Sequence, residues 1–314
     1  MAKLIFNLIR LLRPRQWIKN FAIFAAITFA GELFNPFVFQ KVFLAFIAFC
    51  LLSSATYIIN DLYDIKKDRL HPFKKFRPLA HGDVPIPVAV FIALSFIAIT
   101  LIIGINVTPA FFLVTLVYLA IQFFYSIFLK TIAVVDILVI AAGYILRVYA
   151  GEFASGFHIS VWLLLTTISI SLFLAIGKRR SELTLVSNIQ GANIAGTRKS
   201  LSHYSERLLD VYLAVFATST FISYSLFTFL ETPQGIKISL NILFPEFLPT
   251  FFQRKWLMIT IIPVVYGLMR YLQDIYEKYE GEDTARVLLS DKPLLATVIF
   301  WTILVIFIIY FIGP

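Results

Sequence analysis

The sequence predicts an all-α integral membrane protein with nine transmembrane helices and a cytoplasmic N-terminus. Hydrophobic residues make up 60% of the 314 positions and charged residues only 14%, whereas a soluble domain carries about a quarter charged residues. Long apolar stretches also recur at the length that crosses a bilayer core, about 20 residues. In addition, the basic residues concentrate in alternate loops, which indicates a single orientation in the membrane.

Nine apolar segments are separated by loops that are rich in Pro, Gly, Asn or charged residues. Each segment has about the length of one span. The basic, apolar N-terminus resembles a signal peptide, but no small-residue cleavage site follows cleanly, so we interpret it as the first span. The segments lie at 17–33, 41–60, 86–104, 109–129, 132–150, 160–177, 209–230, 256–273 and 294–313.

The positions of lysine and arginine predict the orientation. With the N-terminus in the cytoplasm, 22 of the 27 basic residues lie in the N-terminal segment or in cytoplasmic loops, four lie on the opposite side, and Arg147 lies within a span. The positive-inside rule favours this topology over the reverse one. We therefore expect a multi-pass protein of the cell (inner) membrane whose active site faces the cytoplasm.

The long, charged cytoplasmic loops at 61–85 and 177–208 lie about four spans apart. Such spacing is typical of membrane proteins that are built from two similar halves. We predict a single domain, 1–314, with two similar halves at about 1–130 and 131–275 and a ninth helix at about 294–313.

The residue counts exclude several kinds of site. The single cysteine, Cys50, excludes a disulfide framework and a cysteine-based metal site. The four histidines show no metal-ligand spacing, and neither a Gly-rich phosphate loop nor a Ser-His-Asp order is apparent. The net charge of +9 follows the membrane topology, so no nucleic-acid partner is expected.

A run of acidic residues ends the second predicted span and begins the first large loop. If the helix continues, Asp61, Asp64 and Asp68 stand at positions i, i+3 and i+7 on one face, next to Asn60. These carboxylates repel one another unless a cation neutralises them, and oxygen ligands of this kind suit Mg²⁺ shared with substrate phosphates. The alternative is a solvated helix end that is balanced by the basic residues nearby, Lys66, Lys67 and Arg69.

The stretch NDLYDIKKDRLHPFKKFRPLAHG at 60–82 resembles the first signature, Asn-Asp-x-x-Asp-x-x-x-Asp, of the UbiA superfamily of intramembrane prenyltransferases. More narrowly, the chain is similar to the decaprenyl-phosphate phosphoribosyltransferases. That likeness extends over nearly the whole chain in the same order and is carried by RPRQWIKN at 13–20, YSIFLKTIAVVDILVIAAGYILRVYAG at 125–151, GKRRSEL at 177–183 and LLSDKPLL at 288–295.

The resemblance implies a nine-span UbiA-like bundle whose cavity faces the cytoplasm and opens laterally to lipid. It also implies Mg²⁺-dependent transfer of phosphoribose from 5-phosphoribosyl 1-pyrophosphate to a polyprenyl phosphate, with release of pyrophosphate, in cell wall biosynthesis. Asn60 and the three aspartates of the motif would bind the metal. Tyr125, Lys130 and Asp136 would form a second polar cluster, in which Asp136 binds metal or ribose hydroxyls.

The chain departs from the lipid–aromatic prenyltransferases after the sixth span. Those enzymes carry a second Asp-x-x-x-Asp motif where this chain has GKRRSEL, and the similarly spaced pair nearby is Glu206 and Asp210. Three anionic groups in one cavity need more fixed positive charge than one pyrophosphate does. We therefore expect these cations to bind substrate: Lys74, Arg77, Lys130, Arg147, Lys178, Arg179 and Arg180. The resemblance adds Lys19 and Tyr125 to the substrate-binding set.

Other interpretations remain open on the sequence alone. The loop cations could be topological anchors, although Arg147 should face the cavity because it lies within a span. An aromatic prenyltransferase would need a second acidic cluster in loop 177–208. A transporter would place ionisable residues at the bilayer midplane, whereas the charges here gather at one face of the membrane.

Overall fold

The secondary structure is helical, as it must be where backbone groups lie in lipid and cannot bond to water. The computed structural model describes residues 2–70, 74–187, 199–231, 255–278 and 284–312, and within these ranges it contains no strand. We number the α-helices in chain order: α1 Ala2–Leu12, α2 Ala25–Phe29, α3 Pro36–Leu70, α4 Pro78–His81, α5 Ile86–Val107, α6 Pro109–Ile127, α7 Val135–Ser155, α8 Val161–Ser187, α9 Glu206–Leu230, α10 Ile261–Gln273, α11 Thr284–Ser290 and α12 Lys292–Phe307.

Short 3₁₀ and π-helical segments join or extend these helices. The 3₁₀ helices are Pro14–Phe24, Lys74–Phe76, Leu129–Thr131, Lys199–His203 and Trp256–Thr260. The π-helical turns Asp274–Lys278 and Ile308–Ile312 follow α10 and α12.

Eight helical segments of the described residues are long and apolar enough to cross a membrane. Each overlaps one of the predicted spans from the second to the ninth. The first predicted span, 17–33, is divided between the 3₁₀ helix Pro14–Phe24 and the short α2, so the count of nine stays a prediction. The eight segments are Pro36–Leu70, Ile86–Val107, Pro109–Ile127, Val135–Ser155, Val161–Leu185, Glu206–Leu230, Trp256–Glu277 and Lys292–Ile312.

The chain folds into two compact units that alternate along the sequence. The expectation that the halves at about 1–130 and 131–275 are structurally similar stays a prediction. The first unit comprises 1–23, 40–154 and 189–204, and the second comprises 24–39, 155–188 and 205–314.

In the first unit, a cluster of buried apolar side chains holds the N-terminal helix against the loop that follows α3. Leu11 of α1 and Leu79 of α4 pack with Ala55 and Ile58 of α3. Small residues of α5, such as Ala89, complete the cluster and let the helices approach closely. The loop that follows α3 is thereby fixed beside the end of that helix.

In the second unit, buried aromatic side chains with polar tips join the helices. The Tyr224 hydroxyl accepts a hydrogen bond from the Trp301 indole at 2.8 Å and lies 2.6 Å from the Thr260 hydroxyl. The Tyr310 hydroxyl accepts a 2.8 Å hydrogen bond from the Leu33 amide. These contacts tie α9, α12 and the segment after α2 into one core, because polar groups in an apolar interior need partners.

Candidate active site

The acidic run lies on a continuous helix. Because α3 extends to Leu70, Asp61, Asp64 and Asp68 share one face. The Asp61 side chain is 2% exposed and that of Asp68 is 7% exposed. Carboxylates at this depth require compensation by positive charge or by a metal.

Three cationic side chains supply that compensation. Arg13 donates to both carboxylate oxygens of Asp61, at 2.6 and 2.7 Å. Arg77 bridges Asp61 and Asp68 through Nη1, at 3.1 and 2.8 Å. The Lys130 ammonium lies 2.7 and 2.6 Å from the two oxygens of Asp64. Each aspartate of the motif is therefore ion-paired.

Arg13 reaches the motif because the segment after α1 runs along the same face of α3. Its backbone adopts a left-handed conformation, with φ of 53°, which turns the chain from α1 into the 3₁₀ helix. The Trp17 indole then donates to Ser54 at 3.0 Å, and the Tyr57 hydroxyl donates to Gln16 at 3.3 Å. These contacts place the Arg13 guanidinium 5.0 Å from the centre of the Tyr57 ring.

Arg77 is held by a short, well-defined turn. It forms the N-terminal boundary of α4, whose first residue is Pro78, a position where proline is tolerated because it needs no amide donor. Gly82 ends the turn with φ of 89°, a conformation that glycine adopts without strain. Arg69 at the end of α3 donates to the Ala80 carbonyl at 3.1 Å and keeps the turn against the helix.

Lys130 approaches the motif from the connection between α6 and α7. It lies in the 3₁₀ helix Leu129–Thr131 and is 5% exposed. Besides Asp64, its ammonium lies 3.3 Å from the side-chain oxygen of Asn60 and 5.6 Å from the centre of the Tyr63 ring. The structure thus brings together Lys130 and the acidic run, which are about 70 residues apart in sequence.

The donor atoms of the motif fit a divalent metal in kind. Carboxylate and amide oxygens are the ligands that Mg²⁺ prefers, and Asn60 and the three aspartates offer them. In the described ranges, however, no three Asp, Glu, His or Cys side chains are arranged around one metal position. The oxygens instead face Arg13, Arg77 and Lys130.

Asp136 is fully buried and accepts hydrogen bonds from a distant segment. The Ser200 hydroxyl lies 3.0 Å from one of its oxygens, and the Tyr204 hydroxyl lies 2.8 Å from the other. The same Tyr204 oxygen accepts from the amide of Val134 at 2.5 Å, and Ser200 also donates to the Lys130 carbonyl at 3.1 Å. Asp136 therefore fixes the connection that carries Lys130, and its predicted contact with metal or ribose stays a prediction.

Arg147 is buried within its span, as expected, but its partners are uncharged. Its guanidinium donates to Asn20 at 2.7 Å and to the Tyr118 hydroxyl at 2.9 Å, and it also bonds to the Gly143 carbonyl. Lys19 lies over the neighbouring Tyr144 ring, 5.7 Å from its centre. Arg147 thus joins the N-terminal 3₁₀ helix to α6 and α7, and its predicted contact with substrate stays untested.

In the second unit, the basic run after the sixth predicted span is paired with carboxylates. Arg180 contacts Asp210 at 2.7 Å and Glu206 at 3.1 Å, both on α9. Tyr276 donates to the same oxygen of Asp210 at 2.6 Å. Arg179 is fully buried and pairs with Glu182. The pair Glu206 and Asp210 therefore neutralises an arginine, and the predicted anion site here stays a prediction.

Three further residues of the predicted set have partly buried side chains. Tyr125 lies in the last turn of α6, Lys74 begins the 3₁₀ helix before Arg77, and Lys178 lies on α8. Their predicted contacts with substrate stay predictions.

Several residues that shape the site were not predicted from the sequence. Arg13 and Gln16 belong to the quoted segment RPRQWIKN, so the likeness offered a signal for them, but only Lys19 was selected from it. No sequence pattern indicated Ser200 and Tyr204 as site residues, because they lie 64 and 68 residues from Asp136 in a segment without helical periodicity.

Comparison with known proteins extends over nearly the whole chain. The model of the UbiA prenyltransferase family matches residues 20–304. The decaprenyl-phosphate phosphoribosyltransferase of Corynebacterium glutamicum is 32% identical over 97% of this chain and 87% of its own length. The protein of the same name from Mycolicibacterium smegmatis is 35% identical over 95% of this chain and 91% of its own length.

Solved structures show the same fold at lower identity. A UbiA homolog from Archaeoglobus fulgidus, bound to DMAPP and Mg²⁺, superimposes with a TM-score of 0.69 at 18% identity, over 96% of this chain and 98% of that one. The structure of a digeranylgeranylglyceryl phosphate synthase has a TM-score of 0.62 at 14% identity, over 98% and 99% of the two chains. The protein is therefore a multi-pass membrane transferase that belongs to the UbiA prenyltransferase family.

Proposed function

We propose that this protein transfers 5-phosphoribose from phosphoribosyl pyrophosphate to a decaprenyl-like polyprenyl phosphate and releases pyrophosphate. The observation that carries the proposal is the identity of 32–35% over 95–97% of the chain with relatives named decaprenyl-phosphate phosphoribosyltransferase. The arrangement of charges around α3 supports it independently, because acidic and basic groups lie together there.

The cations beside the motif suit a substrate that is rich in phosphate. The donor carries a pyrophosphate and a 5-phosphate, and the acceptor adds a third anionic group. Arg13 and Arg77 offer planar forks that can bind phosphate oxygens in pairs, whereas Lys130 offers a compact point charge. A prenyl pyrophosphate has one charged head and would need fewer of these contacts.

The reaction replaces the bond between ribose C1 and the pyrophosphate oxygen with a bond to the acceptor phosphate. As the C1–O bond breaks, positive charge develops on the sugar and negative charge on the leaving pyrophosphate. Arg77 and Lys130 would stabilise that leaving group. The acceptor oxygen is already an anion and attacks C1 from the opposite face, which inverts the anomeric centre, so no strong general base is needed.

Mg²⁺ held by Asn60, Asp61, Asp64 and Asp68 would supply Lewis-acid stabilisation of the pyrophosphate. Asn60 and Asp64 already share Lys130 as a partner, and Asp61 and Asp68 share Arg77. Donor phosphate at this place would therefore meet the same two cations. The positive-inside rule supports a site on the cytoplasmic side of the cell membrane.

A transfer assay tests this function. Purified protein in detergent is supplied with radiolabelled phosphoribosyl pyrophosphate, Mg²⁺ and a panel of polyprenyl phosphates, and in parallel with geranyl pyrophosphate and aromatic acceptors. We expect a labelled lipid only in the first series. Prenylated aromatic product without labelled polyprenyl lipid would instead identify an aromatic prenyltransferase.

Asp64→Asn should reduce this transfer by at least about a hundredfold, because a ligand of the metal and the partner of Lys130 loses its charge. Asp83→Asn is the matched control, since Asp83 lies in the following loop and pairs with His81 at 3.2 Å. Full activity of the Asp64 variant, or undiminished turnover of the wild type in excess EDTA, would rule out the proposed metal site.

A further inference from the structure

Ion pairs join the carboxylates of the acidic run to neighbouring cations. Three carboxylates, on Asp61, Asp64 and Asp68, face three cations, on Arg13, Arg77 and Lys130. Under the proposed function the carboxylates are needed for metal and the cations for phosphate. In the structure, each carboxylate that would bind the metal is ion-paired with a cation that would bind the phosphate.

From this pairing we infer that the site binds divalent metal and phosphate anion only together, and that it holds a free divalent cation poorly. The identity of the anion rests on the proposed function, but the coupling itself does not. It rests on the ion pairs, on their burial and on the shared partners of Arg77.

A metal ion that arrives alone must displace the cations from their carboxylates. Lys130 is 6% exposed and Arg77 is 26% exposed at the side chain, so water compensates the displaced charges only in part. Breaking a buried pair is strongly unfavourable when one charge is left without a partner. The carboxylates are therefore less available to metal than their oxygen chemistry suggests.

A metal that arrives with a phosphate anion avoids this cost. Arg13, Arg77 and Lys130 can exchange carboxylate oxygens for phosphate oxygens, while the carboxylates exchange cations for metal. Arg77 couples the change most directly, because a single nitrogen of its guanidinium contacts both Asp61 and Asp68. Every charge keeps a partner of opposite sign throughout the exchange.

The first experiment measures Mn²⁺ binding without any phosphate. The EPR signal of free Mn²⁺ is titrated with detergent-solubilised wild type and with Arg77→Gln, Arg13→Gln and Lys130→Gln. Each variant removes one cation from the carboxylates of the motif, so we expect its affinity for Mn²⁺ to rise by at least about tenfold, the scale of one charge-assisted hydrogen bond.

Lys67→Gln is the matched control for these variants. Lys67 directly precedes Asp68 on α3 and is exposed. Its substitution removes the same charge from the same helix end without touching a carboxylate of the motif. A gain in Mn²⁺ affinity that is as large as in the Arg77 variant would overturn the inference, because it would reflect net charge alone.

The second experiment measures binding of radiolabelled inorganic pyrophosphate by equilibrium dialysis, with and without Mg²⁺. In the wild type, metal should raise pyrophosphate affinity at least about tenfold, and by linkage pyrophosphate should raise metal affinity equally. In Arg77→Gln this coupling should shrink. A wild type that binds Mn²⁺ alone as tightly as all three variants do, or that binds pyrophosphate equally with and without Mg²⁺, contradicts the inference.

These outcomes are separate from the test of function. Tighter Mn²⁺ binding in the variants together with no phosphoribosyl transfer by the wild type would reject the proposed function and leave the coupling intact. Phosphoribosyl transfer by the wild type together with unchanged Mn²⁺ affinity in the variants would support the proposed function and reject the coupling. Three variants at separate places in the chain keep the test decisive if one of them fails to fold.

Discussion

A single hydroxyl group, that of Tyr204, joins two parts of the site that are far apart in sequence. It donates to the buried Asp136 and accepts from the amide of Val134. Val134 has φ of 67°, an uncommon conformation for a β-branched residue that must be held by its surroundings. The hydroxyl therefore stabilises both a buried carboxylate and a strained backbone next to Lys130.

Tyr204→Phe should accordingly lower the free energy of unfolding by about 1–3 kcal/mol, because the buried Asp136 carboxylate and the part-buried Val134 amide lose a hydrogen-bond partner. The ring and its packing are kept. Denaturant unfolding of the protein in mixed micelles measures the change. Tyr212→Phe on α9, where the side chain is partly buried, is the control and should unfold like the wild type. Equal unfolding of the two variants would contradict this role of Tyr204.

At the scale of secondary-structure elements, α7 lies in direct contact with the N-terminal 3₁₀ helix. A Cβ atom at Gly151 would overlap the carbonyl oxygen of Ile23. One turn earlier on the same helix, Arg147 bonds to Asn20 of the same 3₁₀ helix. The close approach at Gly151 and the hydrogen bond of the Arg147 guanidinium together fix the position of the segment that carries Arg13.

Gly151→Ala should therefore destabilise the protein by about 1–3 kcal/mol, because a methyl group forces the two backbones apart. Gly267→Ala on α10 is the matched control, since a Cβ there meets nothing within 4 Å. It should be neutral or slightly stabilising, because alanine favours helix more than glycine does. Thermal unfolding in detergent compares the two, and a Gly151 variant as stable as the Gly267 variant would exclude the close contact.

At the scale of the whole molecule, the predicted orientation can be tested with cysteine labelling. Cys50 is the only cysteine and is buried, so the background should be low. A membrane-impermeant maleimide should label Ser202→Cys from the cytoplasmic side and Asn106→Cys from the opposite side, since the positive-inside rule places the two positions on different sides. Both native side chains are exposed, so the introduced cysteines should be accessible to the reagent. Inverted and right-side-out vesicles distinguish the sides, and labelling of both positions in one vesicle type would refute the topology.

The sequence predicted those features of the fold that depend on local pattern. Apolar length located eight of the spans. The i, i+3, i+7 spacing put Asp61, Asp64 and Asp68 on one face on the condition that the helix continues, and α3 does continue through Asp68. The division of the first span into a 3₁₀ helix and a short α-helix could not be predicted, because the two kinds of helix can have the same apolar composition. Pro14 was the one local indication that a different helix begins there.

The pairing of charges in the site could not be predicted in the same way. The motif and Lys130 were predicted to be functional, but Arg13 lies 48 residues from Asp61, and no periodicity links them. Arg147 was expected to face the cavity because it lies within a span. The structure satisfies it with amide, hydroxyl and carbonyl oxygens, which sequence reasoning does not rank above a carboxylate.

The length of α3 has a consequence for where lipid and water-soluble reactants can meet. From Pro36 to Asn60 the helix has 25 residues, or about 37 Å along its axis at 1.5 Å per residue. This exceeds the hydrocarbon thickness of about 30 Å. For a helix along the membrane normal, Asn60 thus lies at the boundary of the hydrocarbon, and Asp68 lies about 12 Å further out. Under the proposed function, the acidic run would then span the headgroup layer, so that a lipid phosphate could remain at its resting depth while a dissolved sugar phosphate approaches from the water.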